Sequence, residues 1–548
     1  MAGKGSPTPW SYFLIRLLFK FVLKIFYGTI VVEGTEHIPL RGRPCIVCAN
    51  HSNSLTDALV MVATVPSKRR DLLRLTAKST QFGKRTFTSW LIESAGTVPL
   101  QRRKDFPDGK VNNTEVMEKL LEALEQGDAV CLFPEGMSRY HPTIAPLKTG
   151  VARIVSDVLT RQRDDPTFEV DVLTCSITYM HRQHFRSDVL VTFHKPMTFS
   201  PATNPELLAP VEFSHIRDLT AKLHHEISMG TLSAPSWRLH RNAKLAAQIY
   251  APLGTEMTLG DYVRVVRMFL EALKVPETKD AGAARGSASE GEMEGATRDL
   301  EERLACLSAD LTAYQEKLSY YGIKDDRIRR PLSRPVILYR LTVRLSWSLV
   351  LFSLSLPGLL LWLPVFVTTF IAVREFKRTG PVWDTWDEIA QYKLVYGLIS
   401  GLCVWCGAML VTLPVAPITA VVVPVMMWMA LRWFEDAVAS FRAFAALARL
   451  FLMPRSQMVL LQATRRDLHK RVVDLAVNTL GLPEHPETYF AQNPEADGFT
   501  GTGREDKGRV RGPWQSKAKY FSIRRRRKRD WNETLRLYDK VDYGPEDY

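Results

Sequence analysis

Two stretches with no charged side chain, Ser346–Val373 and Leu394–Leu431, constrain this chain more than any other feature. Each is longer than the roughly 20 apolar residues that cross a bilayer as a helix. The average composition hides them, because 46% hydrophobic residues is ordinary for a water-soluble protein. Charge is dense elsewhere, so the sequence describes a membrane protein with a large polar portion. The segment before the first run, "DDRIRRPLSRPVILYRLTVR" (325–344), is basic, and the chain after Leu431 is arginine-rich. The connector between the runs, "REFKRTGPVWDTWDEIAQYK" (374–393), is close to neutral. The positive-inside rule then places both outer flanks in the cytosol and the connector in the lumen, with an even number of crossings. Pro357, Pro364, Pro414, Pro417 and Pro424 interrupt the runs, and the second run has room for two short spans or a hairpin.

The net charge is +14 and the pI about 9.4. Given the apolar runs, this suits an anionic membrane surface, or small phosphorylated and CoA-bearing molecules, better than nucleic acid. The seven cysteines are odd in number and follow no secretory signal, which points to reduced thiols facing the cytosol. The pairs Cys45/Cys48 and Cys403/Cys406 lack the further His or Cys partners of a zinc site, so no metal is expected.

The stretch "WSYFLIRLLFKFVLKIFYG" (10–28) is apolar and aromatic apart from Arg16, Lys20 and Lys24, which recur every fourth residue on one helical face. That pattern predicts an amphipathic helix lying in the membrane interface. Residues 30 to about 200 then alternate short apolar runs with helical stretches. "CIVCAN" (45–50), "LLRLTAK" (72–78), "GTVPL" (96–100), "AVCLF" (129–133), "VDVLTCSIT" (170–178) and "DVLVTFH" (188–194) read as strands, and "TEVMEKLLEALEQGD" (114–128) as a helix stopped by Gly127. Strand–helix alternation predicts an α/β sheet covered by helices, with functional groups beyond the strand ends. Leu300, Leu304, Leu307, Leu311 and Tyr314 stand near heptad spacing and offer a seam for self-association through 298–322.

Several strand ends carry polar groups. His51 follows one strand, and Asp57, one helical turn onward, is placed to accept a hydrogen bond from one ring nitrogen and leave the other free to take a proton. "GTVPLQR" (96–102) ends in Arg102, "LFPEGMS" (132–138) ends in a Pro-Glu-Gly turn, and "ITYMHRQHFRS" (177–187) leads into basic residues. Arginine recognises phosphate through a bidentate fork, and Gly136 permits close approach to the backbone.

Taken in order, His51 and Asp57, Gly96 and Arg102, and Phe133, Pro134, Glu135 and Gly136 resemble the motif blocks of the glycerolipid acyltransferase family over about residues 30–200. Two details depart from the common pattern: five residues instead of four separate His51 from Asp57, and Met137, Ser138 and Arg139 replace Thr-Arg-Ser. "FPEGMS", "PLKTGVA" (146–152), "YMHRQHFRS" (179–187) and "RPVILYRL" (334–341) are similar to fungal-type glycerol-3-phosphate acyltransferases of the endoplasmic reticulum, some of which also acylate dihydroxyacetone phosphate.

The resemblance implies direct transfer from acyl-CoA to the sn-1 hydroxyl of glycerol 3-phosphate at a cytosol-facing domain on the endoplasmic reticulum membrane. No metal or other cofactor is implied. His51 is the expected base and Asp57 its partner, with the oxyanion held by backbone amides at the start of the following helix. Substrate contacts are expected from Gly96, Arg102, Phe133, Pro134, Glu135, Gly136 and Ser138, with Lys148 and Arg186 added here as phosphate ligands. A lysophosphatidate acyltransferase and a catalytically silent membrane scaffold are the competing readings.

The expected organisation is an N-terminal membrane-interface helix (1–33), an α/β acyltransferase domain (34–275) and a disordered linker (276–297). A helix with coiled-coil potential (298–324), a transmembrane helical region (325–450), a cytosolic helical segment (451–484) and a basic, largely disordered tail (485–548) complete it.

Overall fold

In the computed structural model the described residues are 5–79, 82–85, 87–101, 113–182, 187–251, 255, 257–280, 291–329, 333–378 and 388–492. They divide into two compact units.

The first unit contains residues up to Ser233 together with the start of a later helix through Gln391. Its strands are β1 (Thr29–Glu33), β2 (Cys45–Ala49), β3 (Arg74–Lys78), β4 (Val98–Leu100), β5 (Ala129–Leu132), β6 (Val170–Tyr179), β7 (Asp188–Phe193) and β8 (Met197–Phe199). Its helices are α1 (Trp10–Phe26), α2 (Leu55–Thr64), α3 (Phe87–Ser94), α4 (Thr114–Glu125), α5 (Gly150–Arg161) and α6 (Phe213–Met229). The strand order is β1-β7-β6-β2-β5-β3-β4, with β8 beside β6. β6, β2, β5, β3 and β4 run parallel, while β7 and β8 are antiparallel to β6. The carboxyl ends of β2, β5 and β6 therefore open on one edge of the sheet. The chain leaves β2 toward β3 on one side and returns through β6 on the other, which makes β2 the switch point where a crevice forms.

The six strands expected from the sequence are present. β1 and β8 were not foreseen: β1 follows α1 with almost no turn signal, and β8 has only three residues.

Ile46, Cys48, Val130, Leu132 and Val172 interleave with α4, α5 and α6 to form the core on one face of the sheet. Each such side chain contributes about 1.5–3 kcal/mol on burial. Cys45, Cys48, Cys131 and Cys175 are buried in the strands as small apolar residues.

In α1 one member of the basic stripe turns inward. Arg16 is buried and donates to the Val65 carbonyl. Trp10, Phe13, Leu14, Leu17 and Phe21 form the exposed face. The backbone oxygen at the end of α2 gives the guanidinium a partner, and this outweighs its preference for water.

The second unit begins at Ala234, well before the expected boundary at 275. Its elements are α7 (Trp237–Tyr250), α8 (Leu259–Asp280), α9 (Gly291–Tyr321), α10 (Asp325–Arg329), α11 (Arg334–Arg378), the body of α12 (Glu388–Val411), α13 (Ala416–Leu452), α14 (Arg455–Asp474) and α15 (Pro486–Gln492). The linker expected over 276–297 is helical at both described ends, and 281–290 lie outside the described residues. In α9, Leu304, Leu307, Leu311, Tyr314 and Leu318 are buried, and the helix packs on α7, α8 and α14. Four of the five stripe residues are thus buried within the chain, and Leu300 is exposed. Arg465 pairs bidentately with buried Asp325, which also accepts from the Tyr314 hydroxyl.

Three helices, Arg334–Arg378, Glu388–Val411 and Leu413–Leu452, are long and apolar enough to cross a membrane. The second uncharged run breaks at a turn over Leu413–Val415, as its prolines invite. α11 and α13 run antiparallel. Trp362 Nε1 donates to the Met427 carbonyl at 2.8 Å, and a Cβ on Gly358 would stand 2.3 Å from that of Ala430. That approach requires the missing side chain. The tail beyond 492 lies outside the described residues.

Candidate active site

β2 ends at Ala49 and the chain turns through Asn50, whose side-chain amide closes both a donor and an acceptor bond with Ile177 of β6, at 3.0 and 2.7 Å. This fixes the take-off of the next residue, His51. Its Nδ1 lies 2.9 Å from Asp57 Oδ2, and its side chain is 19% exposed at the strand-end edge of the sheet. The same carboxylate oxygen accepts the Ser52 and Asn53 N–H groups at 2.9 and 2.7 Å, and Oδ1 accepts the Tyr179 hydroxyl at 2.6 Å. Asp57 is fully buried. Four donors compensate for the lost water and hold the carboxylate as an acceptor. An ionised Asp57 fixes the imidazole with its proton on Nδ1 and leaves Nε2 as the basic nitrogen.

The extra residue between His51 and Asp57 is taken up by a tight turn. The Thr56 N–H donates to the Asn53 carbonyl at 3.0 Å around Ser54, whose φ of 48° and ψ of −134° match the first central position of a type II′ turn. Glycine favours that conformation, and a residue with a Cβ holds it at a cost of about 1–3 kcal/mol. Ser54 is the single non-glycine residue with positive φ among the described residues. Its hydroxyl donates to Gln391 Oε1 at 3.0 Å.

The Phe133–Gly136 turn closes through the Gly136 N–H to the Phe133 carbonyl at 2.9 Å, with Pro134 at its second position. Phe133 stacks on His51 with centroids 4.3 Å apart and planes inclined by 20°. Glu135 lies behind His51: Oε1 accepts the His51 backbone N–H at 2.6 Å, Oε2 accepts that of Ala145 at 3.0 Å, and the residue is 6% exposed. Burial raises its pKa, and the two N–H bonds only partly offset this. Both Glu135 oxygens thus brace the backbone, one at His51 and one at Ala145.

Gly136 has a φ of 74°, and an added Cβ would stand 2.5 Å from Lys148 Nζ. The group passing close over this glycine is thus the lysine side chain. Lys148 is exposed beside the turn, and its N–H donates to the Pro134 carbonyl at 2.9 Å. Ser138 is half-buried on the same loop.

Gly96 has a different task. With a φ of 67° it ends α3, donating to the Glu93 carbonyl while Thr97 donates to that of Ile92. It serves as a helix stop before β4. Arg102 and Arg186 lie outside the described residues. The helix-start amides expected to hold an oxyanion are engaged elsewhere: Ser52 and Asn53 at Asp57, Thr56 and Asp57 at turn carbonyls.

Sequence reasoning missed Tyr179, Asn50 and Arg182. Arg182 donates to the carbonyls of Arg139 and His141 and lies over the Tyr140 ring at 5.4 Å, so it ties down the loop that follows Ser138. Burial, and then Asp57, push the Tyr179 hydroxyl well above its ordinary pKa, so it stays a donor. Only pairing across the sheet brings Tyr179 to Asp57, so spacing along the chain carries no signal for it. Among the described residues no group of three or more His, Cys, Asp and Glu is placed to hold a metal ion.

Residues 29–178, which contain His51, Asp57, Gly96 and the Phe133–Gly136 turn, match the family model described as Acyltransferase. The chain carries an acyltransferase domain. Beyond the acyltransferase domain, residues 296–379 match a second model, described as Glycerol-3-phosphate acyltransferase 2 C-terminal domain. Glycerol-3-phosphate O-acyltransferase 2 of Saccharomyces cerevisiae is 22% identical over 496 residues, covering 71% of this chain and 63% of that protein. An uncharacterized acyltransferase of Schizosaccharomyces pombe is 23% identical, covering 69% and 56%. Glycerol-3-phosphate O-acyltransferase 1 of Saccharomyces cerevisiae is 24% identical, covering 53% and 36%. The chain thus spans less than two thirds of the length of the curated relatives it matches. A crystal structure of the 1-acyl-sn-glycerophosphate acyltransferase from Thermotoga maritima is 20% identical over 40% of this chain and 79% of that one, with a TM-score of 0.28, too low to bear on the fold.

Proposed function

We propose that this chain transfers an acyl group from acyl-CoA to the sn-1 hydroxyl of glycerol 3-phosphate, giving lysophosphatidate, with dihydroxyacetone phosphate as a second acceptor. The observation that carries the reading is the His51–Asp57 pair at 2.9 Å, part-exposed at the strand ends and backed by Glu135. Nε2 accepts the proton of the acceptor hydroxyl as its oxygen attacks the thioester carbonyl. Asp57 supports the imidazolium that forms. The tetrahedral intermediate collapses with loss of the CoA thiolate, which takes the proton back from His51. The thioester is already activated, so the enzyme supplies no nucleophile of its own, and acyl-CoA serves as co-substrate with no further cofactor.

Lys148, beside the Glu135–Gly136 turn, is the proposed contact for the acceptor phosphate, together with Arg102 and Arg186. The names of the yeast relatives support the choice of glycerol 3-phosphate. The bilayer is the second partner. The exposed apolar face of α1 and the three long apolar helices support a membrane location. We assign this to the endoplasmic reticulum, with the acyltransferase domain facing the cytosol.

Membranes carrying the protein or its His51→Ala variant, given labelled acyl-CoA with glycerol 3-phosphate, dihydroxyacetone phosphate or lysophosphatidate in turn, test the reading. Product is expected from glycerol 3-phosphate, falling by a factor of about 10²–10⁴ in the variant. Product from lysophosphatidate alone overturns the acceptor, and equal turnover by His51→Ala overturns the mechanism.

A further inference from the structure

The contact between Ser54 and Gln391 joins residues 337 positions apart in the chain. Ser54 sits in the turn that brings Asp57 back to His51, in a conformation unfavourable for any residue with a Cβ. If that turn relaxes, the peptide after Ser54 swings, and the amides of Ser52 and Asn53 lose their alignment on Asp57. The turn closes through the Thr56 N–H, Asn53 Nδ2 donates out of the loop to the Tyr27 hydroxyl and the Arg182 carbonyl, and at the strained residue itself the outside contact is that of the Ser54 hydroxyl with Gln391. That residue stands in the first turn of α12, directly after Ile389 and Ala390, which are buried in place at 1% and 0% exposure. An anchored helix end presents its glutamine at a fixed position.

We infer that Gln391 is a positioning residue for the His51–Asp57 pair, acting through the strained Ser54 turn. The inference rests on the acyltransferase reading above.

The test uses the full-length protein in membranes. Gln391→Ala is expected to lower kcat about ten- to a hundredfold, the effect of a catalytic pair displaced by up to an ångström, with KM for acyl-CoA within twofold. Adding Ser54→Gly to Gln391→Ala is expected to restore kcat to within about threefold, because glycine adopts the turn without being held. A role for Gln391 merely in docking α12 is not rescued this way. Unchanged kcat in Gln391→Ala, or a loss that Ser54→Gly fails to restore, overturns the proposal.

A second arm does not need activity. With the three exposed cysteines Cys306, Cys403 and Cys406 replaced by serine, Ser54→Cys and Gln391→Cys together are expected to join through a short bis-maleimide. The cross-linked chain shifts on a gel, while either single variant does not. If the wild-type protein transfers no acyl group to any acceptor, the functional reading fails and this arm alone decides the contact. No cross-link overturns it.

Discussion

Removing one oxygen atom at Tyr179 separates the support of the site from its chemistry. The Tyr179 hydroxyl donates to Asp57 Oδ1 at 2.6 Å in a region closed to water, and Asp57 itself is fully buried. Hydrogen bonds to charged groups contribute about 1.5–3 kcal/mol, and a buried acceptor left without its donor loses most of that. Tyr179→Phe keeps the ring that packs against Tyr27, with centroids 5.9 Å apart, so the loss is that of the bond and not of packing. The expected destabilisation is about 2 kcal/mol, which lowers the melting temperature of a unit this size by about 4–8 °C. Asp57 retains the donors from His51, Ser52 and Asn53, all on Oδ2, so the His51 geometry persists. kcat then falls by less than about tenfold, far short of the general-base contribution itself. Thermal unfolding in detergent and acyl transfer in membranes are read side by side. An unchanged melting temperature, or a hundredfold fall in kcat at wild-type stability, refutes the reasoning, because Tyr179 then touches the reacting groups directly.

Two further outcomes follow from the same network. Glu135→Gln keeps one acceptor oxygen but turns an amide N–H₂ toward the second donor, which costs about 1–3 kcal/mol and lowers kcat at least about tenfold by releasing the His51 backbone. Because burial raises the Glu135 pKa above 4.5, the folded state holds that proton more tightly than the unfolded chain. The stability it contributes is full below that value and declines as pH rises through the folded pKa, so the gap between wild type and Glu135→Gln narrows over that window in denaturant titrations. Asp128 behaves in the opposite sense. Burial would raise its pKa, but the Ser6 N–H and hydroxyl, each at 2.7 Å, and Arg74 at 2.8 Å bring it below 3.8. Its contribution is present above that value and lost as pH falls through the lower folded pKa. Asp128→Asn is expected to flatten the acid limb of stability, measured by fluorescence-monitored unfolding below pH 5.

Legibility followed locality. β2, β5 and β6 are readable because each is a largely apolar run, buried on both faces of the sheet. The His51–Asp57 pair was readable because its six-residue separation falls within one turn and the start of one helix. Gly96 and Glu135 stand out in the sequence, but their backbone roles do not show there. A left-handed glycine and a buried carboxylate look the same in sequence whether they serve a ligand or the backbone. For α1, periodicity shows that Arg16, Lys20 and Lys24 share a face and not what that face meets. Arg16 meets the Val65 carbonyl.

The sequence by itself determined that the chain has membrane-compatible helices, an α/β portion, and a histidine with a carboxylate in reach. These properties depend on hydropathy, periodicity and near spacing, which the chain carries wherever it goes. Tertiary structure alone decided that Tyr179 caps Asp57, that Glu135 braces His51 from behind, and that Gln391 reaches the Ser54 turn. Each of those contacts joins residues more than eighty positions apart. No local preference favours such a meeting before the sheet has aligned its strands and the core has closed around them.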